Sequence, residues 1–179
     1  MAMRGRREPA PGLLRRLDAF ARAAFPAAGT ALLMILAAAP VGLPSALPAM
    51  ALACVFFWSL FRPAAMSPAI CFGIGLLQDL LGFAPLGIGI LTMLMVHGLV
   101  LRTRRVLARQ SFLVVWLAFA GVAAGAALLG WVLQAALGAR LPPVMPGLVF
   151  WALAAGFYPA VAAVLTRLHQ AMQRAEDLA

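Results

Sequence analysis

Within the long apolar runs of this chain, the acidic, imidazole and thiol side chains reduce to Asp79, His97, Cys54 and Cys71. Asp79 comes first, because a carboxylate at the centre of a bilayer costs about 2.5–3.5 kcal/mol and is by default a functional residue. Asp79 follows Gln78 and stands only three residues before Gly82, where its run ends, so the cost is lower there. Backbone amides around Leu86 and Gly87, at the start of the next run, can donate hydrogen bonds to it. Arg140, in a later loop, is the candidate ion-pair partner. The expected role is therefore a cap or ion pair, ahead of a proton or substrate site. His97 lies about 16 Å further along the next run at 1.5 Å per residue, so it forms no acid–base pair with Asp79. A neutral imidazole bonded to a neighbouring helix is the expected state.

The patterns that enzymes need do not form around these residues. There is no HExxH, no Gly-rich loop leading to a Lys, no pair of acids and no evident Ser with a base, so no catalytic residue is assigned. Cys54 and Cys71 offer neither a disulfide framework nor a CxxC site, and are read as small packing residues; no metal and no cofactor is expected. The net charge of +9 comes without basic residues interleaved with aromatics, so nucleic acid is not an expected partner.

The elements that must position these residues follow from the solvent the chain requires. With 65% hydrophobic and 11% charged residues, it departs far from soluble composition and matches lipid. Six apolar spans are expected, at 26–43, 46–61, 67–82, 86–101, 110–137 and 144–166, divided by Gly42-Leu43-Pro44, Arg62-Pro63, Gly82 to Gly87, an Arg-rich turn and the stretch from Arg140 to Pro146. The third and fourth reach only about 24 Å, short of a hydrocarbon core of about 30 Å. The fold class expected is thus an all-α integral membrane protein: a basic leader over 1–25, a six-helix domain over 26–166 and a tail over 167–179. In the leader, Leu13, Leu14, Leu17, Phe20, Ala21 and Ala24 recur at helical spacing against Arg15, Arg16, Asp18 and Arg22, the pattern of an interfacial helix resting on membrane lipids. No excised signal is expected, since the apolar run continues past Ala37-Ala38-Ala39.

Orientation is the clearest signal. With six spans, Arg140 stands alone on one side, while the other 13 of the 14 basic residues, all Arg, share the opposite side. They include a basic turn of Arg102, Arg104, Arg105 and Arg109. By the positive-inside rule the richer side, with both termini, is cytoplasmic. Trp58 and Trp116 then fall near inner ends of spans and Trp131 and Trp151 near outer ends, as interfacial aromatic belts do. Gly121 and Gly125, in Gly-Val-Ala-Ala-Gly, form a small-residue face for another helix, within the bundle or on a partner, which leaves a homo-oligomer open. Pro159 is expected to kink the sixth span.

The segment from Gly73 through Gln78, Asp79, Gly82, Pro85 and Leu86 to Gly87 resembles the outer hairpin of the rod shape-determining protein MreD family, and the basic turn, size and span count fit the same family. The chain departs from the family pattern at Ile88-Gly89, where a polar residue is often found, and in its longer leader. The resemblance implies a non-enzymatic inner-membrane scaffold of the bacterial elongation machinery that binds MreC. Through MreC it would be linked to MreB filaments, a RodA-type glycosyltransferase and a class B penicillin-binding transpeptidase. The family also resembles the S components of energy-coupling-factor vitamin transporters, which supplies the alternative function. An S component needs convergent polar groups around a vitamin, and the outer halves of the spans offer only Gln78, Asp79, Gln134 and Arg140.

Overall fold

A computed structural model describes residues 13–38, 45–82, 85–138 and 141–177, and all six α-helices among them are long. They are α1 (Leu13–Ala37), α2 (Ala46–Phe61), α3 (Pro68–Gly82), α4 (Ile88–Leu107), α5 (Phe112–Gly138) and α6 (Met145–Asp177), with a short 3-10 helix, Pro63–Ala65, between α2 and α3. No strand occurs among the described residues.

The core is built around α2. Its side chains are apolar on every face, and a helix of that kind is stable only when enclosed. Residues Ala51 to Leu60 are all buried, and α2 meets every other helix of the bundle. Small residues at Ala49, Ala51, Ala53 and Cys54 admit close neighbours. Larger rings lock the outer helices onto α2: Phe56 meets Phe119 of α5 edge-on at 5.1 Å and Tyr158 of α6 at 5.7 Å, while Phe119 and Tyr158 stack at 4.1 Å. Cys54 and Cys71 are free and buried within this core.

On the outside, α5 and α6 carry spans long and apolar enough to cross a membrane, over Phe112–Gly138 and Met145–Ala171. Leu113, Leu117, Leu128, Val132, Leu148 and Val164 are exposed along them. Apolar surface of that extent marks contact with a membrane or with a protein partner. The remaining apolar stretches are shorter; α2 has 16 residues and α3 has 15, or about 22–24 Å at 1.5 Å per residue.

Several helix ends differ from the hydropathy reading. The leader helix and first span form one helix, since α1 runs unbroken through Pro26, where Thr30 donates its hydroxyl to the Pro26 carbonyl at 2.7 Å. The basic turn is largely helical: α4 continues past Leu101 through Arg102, Arg104 and Arg105, and only Arg109 lies in the turn that follows. Arg is a good helix former, and Arg104 and Arg105 in the last turn oppose the negative end of the helix dipole. α6 likewise extends well past Thr166, bringing His169 within 6.4 Å, ring to ring, of Trp58 and Phe61 on α2. Trp58 is thereby buried in the core, not placed in an interfacial belt.

Pro159 does not end α6. Having no N–H, it leaves the Ala155 carbonyl one turn earlier without its helical donor, and Trp116 of α5 donates its indole N–H to that carbonyl at 2.9 Å. Trp131 donates to the Pro142 carbonyl and Trp151 to the Ala120 carbonyl, both at 3.0 Å. Three of the tryptophans thus tie α5 to α6 or to the segment leading into it.

Candidate functional site: the clasp of the α3–α4 hairpin

The site is made where two glycines let two helix backbones touch. A Cβ on Gly75 of α3 would stand 2.5 Å from the Ile90 Cα and 2.8 Å from the Gly89 carbonyl oxygen, distances that real side chains do not tolerate. A Cβ on Gly89 would collide with the Asp79 Oδ1 and stand 2.9 Å from the Gly75 carbonyl. The α3–α4 contact is accordingly the most extensive between any two helices among the described residues.

Asp79 closes this contact. It is 1% exposed, yet both carboxylate oxygens are satisfied: the Gly87 N–H donates to Oδ2 at 2.8 Å and the Gly89 N–H to Oδ1 at 2.7 Å. Gly87 is the N-cap of α4, and its φ of 106° is one that an L-residue adopts only with strain. The first helical amides lack partners within their own helix, and the positive end of the helix dipole lies there. A carboxylate lent by the preceding helix supplies both needs at once. The first backbone bond of the helix then runs from the Leu91 N–H to the Gly87 carbonyl at 2.9 Å.

The other hairpin residues are spread around the clasp. The Gln78 carboxamide nitrogen would stand 3.0 Å from a Cβ on Gly89, so it packs against the same point, while its buried oxygen has no hydrogen-bond partner among the described residues. Gly82 is the last residue of α3, and Pro85 and Leu86 form the exposed turn. Arg140 lies outside the described residues, as do Phe83 and Ala84. No group of three or more His, Cys, Asp or Glu that could hold a metal occurs among the described residues.

His97 stands apart from the clasp, on the side of α4 that faces α2. Its Nδ1 is 2.8 Å from the Ser59 hydroxyl, and the ring and the hydroxyl are both buried. This brings together a serine and a potential base that no sequence motif links, correcting the reading that no such pair exists. Which atom donates follows the imidazole tautomer, and the arrangement serves as a hydrogen bond between helices within the core.

Gly121 and Gly125 do not pack closely against another helix among the described residues. They are exposed, a Cβ on either would meet nothing within 4 Å, and they line a groove of about 660 Å³ between α4 and α5. Arg102, also exposed, lies on the same groove.

Sequence reasoning located Asp79 and its turn but missed Gly75 and Gly89 as the residues that make room for it, and Ser59 as the partner of His97. The spacing from Gly75 to Asp79, one helical turn, carries a signal for the first; nothing local signals Ser59.

Compared with known proteins, residues 24–164 match the family model of rod shape-determining protein MreD. Neither the curated proteins nor the solved structures give a match.

Proposed function

The chain belongs to the rod shape-determining protein MreD family, and from that premise we propose that it acts in the bacterial cytoplasmic membrane as a non-enzymatic scaffold of cell elongation. It crosses six times with both termini inside, binds MreC, and so couples MreB filaments to the RodA-type glycosyltransferase and class B transpeptidase that build the lateral wall. A role in rod-shape determination follows from the family; the partners and the topology are our reading.

The observation that carries it is the family match over most of the chain, which includes the whole Asp79 hairpin. The chemistry of the hairpin agrees with a holding role. Asp79 is fully engaged by two backbone amides, so its charge is spent on fixing the angle of α3 to α4. The six-span reading has two supports. The long apolar surfaces of α5 and α6 favour lipid around the bundle, and the 13-to-1 distribution of Arg sets the sides.

Affinity-tagged full-length protein, solubilised from cells in mild detergent, should recover MreC in near-equal amount. Recovery of the folded protein without MreC, but with a stoichiometric vitamin bound, would overturn this reading in favour of an S component.

A further inference from the structure

We propose that the groove between α4 and α5 is a binding site for an anionic phospholipid, with one acyl chain along the groove and the headgroup phosphate on Arg102. The proposal rests on the membrane placement given above, and it identifies a ligand that the placement does not.

Length points to lipid. On α4 the groove is lined from Thr92 to Arg102, and on the antiparallel α5 from Leu129 to Ala118. From first to last these eleven and twelve residues rise about 15–17 Å, half of a hydrocarbon core of about 30 Å. A partner's transmembrane helix needs a track of about 20 residues. A groove one leaflet deep is the length of an acyl chain.

The lining points the same way. Thr92, Val96 and Leu99 of α4 lie on one helical stripe and face Gly121, Val122 and Gly125 of α5. Because a Cβ on Gly98, Gly121 or Gly125 would meet nothing within 4 Å, the glycines hold the groove open and do not seal a helix contact. At the far end the Thr92 hydroxyl is already committed to the Ile88 carbonyl at 2.7 Å, which leaves an apolar terminus.

Charge fixes the kind of lipid. Among the described residues Arg102 is the only charged one on the groove; it lies at one end of it, and Arg104, Arg105 and Arg109 follow it in the sequence. Among the described residues it has no carboxylate partner. A guanidinium at headgroup level, in a basic cluster, is matched by a phosphate that carries net negative charge, and poorly by a zwitterionic headgroup.

Full-length protein in mild detergent should be titrated with equal amounts of dioleoyl phosphatidylglycerol and dioleoyl phosphatidylcholine and examined by native mass spectrometry. One phosphatidylglycerol should be retained per chain, in preference to phosphatidylcholine. Arg102→Gln, a change at an exposed site, should lower that retention about fivefold, while Arg174→Gln leaves it unchanged. Gly125→Leu, which fills the groove, should lower retention of both lipids if thermal unfolding shows it folded. Equal retention of the two lipids by the wild type, or no effect of Arg102→Gln, would overturn the proposal. So would a folded Gly125→Leu protein that keeps its lipid but loses a dimer or MreC, because the groove would then be a protein contact. Sidedness does not enter a micelle measurement, so a failed topology leaves this result standing by itself.

Discussion

Removing the Asp79 carboxylate tests whether the hairpin is held by charge-assisted capping. In Asp79→Leu the Gly87 and Gly89 N–H groups lose their acceptor together. Two scales compete for the size of the effect. Interhelical hydrogen bonds in membranes average about 0.6 kcal/mol, because the freed group finds another partner; a buried donor that stays orphaned costs about 1–3 kcal/mol. The second applies at Gly89, whose N–H is buried and would be left facing an apolar side chain. The Gly87 amide is only partly buried and can recover some of its loss. Asp79→Leu should therefore cost about 2–4 kcal/mol, and Asp79→Asn, whose amide oxygen still accepts one bond, about 1–2 kcal/mol. Gly89→Ala breaks the same clasp from the opposite side, so its effect should combine with that of Asp79→Leu less than additively. Unfolding of purified protein by sodium dodecyl sulfate titration in mixed micelles gives these differences directly. An Asp79→Leu protein as stable as the wild type would refute the clasp. A stable Asp79→Asn protein in round cells would show that the charge itself is used.

Three further outcomes are expected. Cysteines introduced at Gly5, Thr103 and Gln173 should be shielded from an impermeant thiol reagent added outside spheroplasts, and one at Ala139 should react; Cys54 and Cys71, both fully buried, give little background. Labelling of Thr103→Cys from outside would refute the six-span topology. Trp116→Phe should destabilise by about 1 kcal/mol through the orphaned Ala155 carbonyl, and much less in a Pro159→Ala background, where a restored N–H serves that carbonyl; equal losses in both backgrounds would exclude the proposed coupling. His97→Gln, which keeps hydrogen-bonding capacity toward Ser59 without a titratable ring, should preserve rod shape, and round cells at normal protein levels with MreC still bound would assign the imidazole a chemical role.

What the sequence made legible was mostly set by single residues acting on their own backbone. Pro63 and Pro68 bracket the break between α2 and α3, and Gly82 with Pro85 marks the hairpin. Helix ends beyond the apolar runs were not legible, for hydropathy locates where lipid stops and not where hydrogen bonding stops. The arginines and Leu107 at the end of α4, and most of the stretch of α6 after Thr166, are good helix formers that continue out of the apolar zone. Pairings across helices were legible only where one partner was chemically conspicuous. Asp79 demanded donors, and the nearest amides downstream were those of the next helix. Ser59 is one hydroxyl in an apolar helix and pointed nowhere until α2 and α4 were laid side by side. Gly121 and Gly125 carried a real signal, a face without side chains, but a glycine row reads alike whether it admits a helix or holds a groove open.

The holding role can be argued from where the interior spends its polar atoms. Among the described residues the buried polar side chains are Thr30, Ser59, Asp79, Thr92 and His97. Thr30 and Thr92 each donate to the carbonyl one turn earlier in their own helices, and Asp79 accepts from the amides that open α4. Ser59 and His97 bond to each other between α2 and α4. Trp116 adds its N–H to the carbonyl freed by Pro159. These bonds satisfy the backbone or bridge helices, while Gln78 Oε1 and His97 Nε2 are buried without a hydrogen-bond partner among the described residues. In lipid, where apolar contact gives helices little reason to associate, such bonds fix the angles between helices. A bundle with its angles fixed in this way presents a constant outer surface, which is what the proposed scaffold role requires.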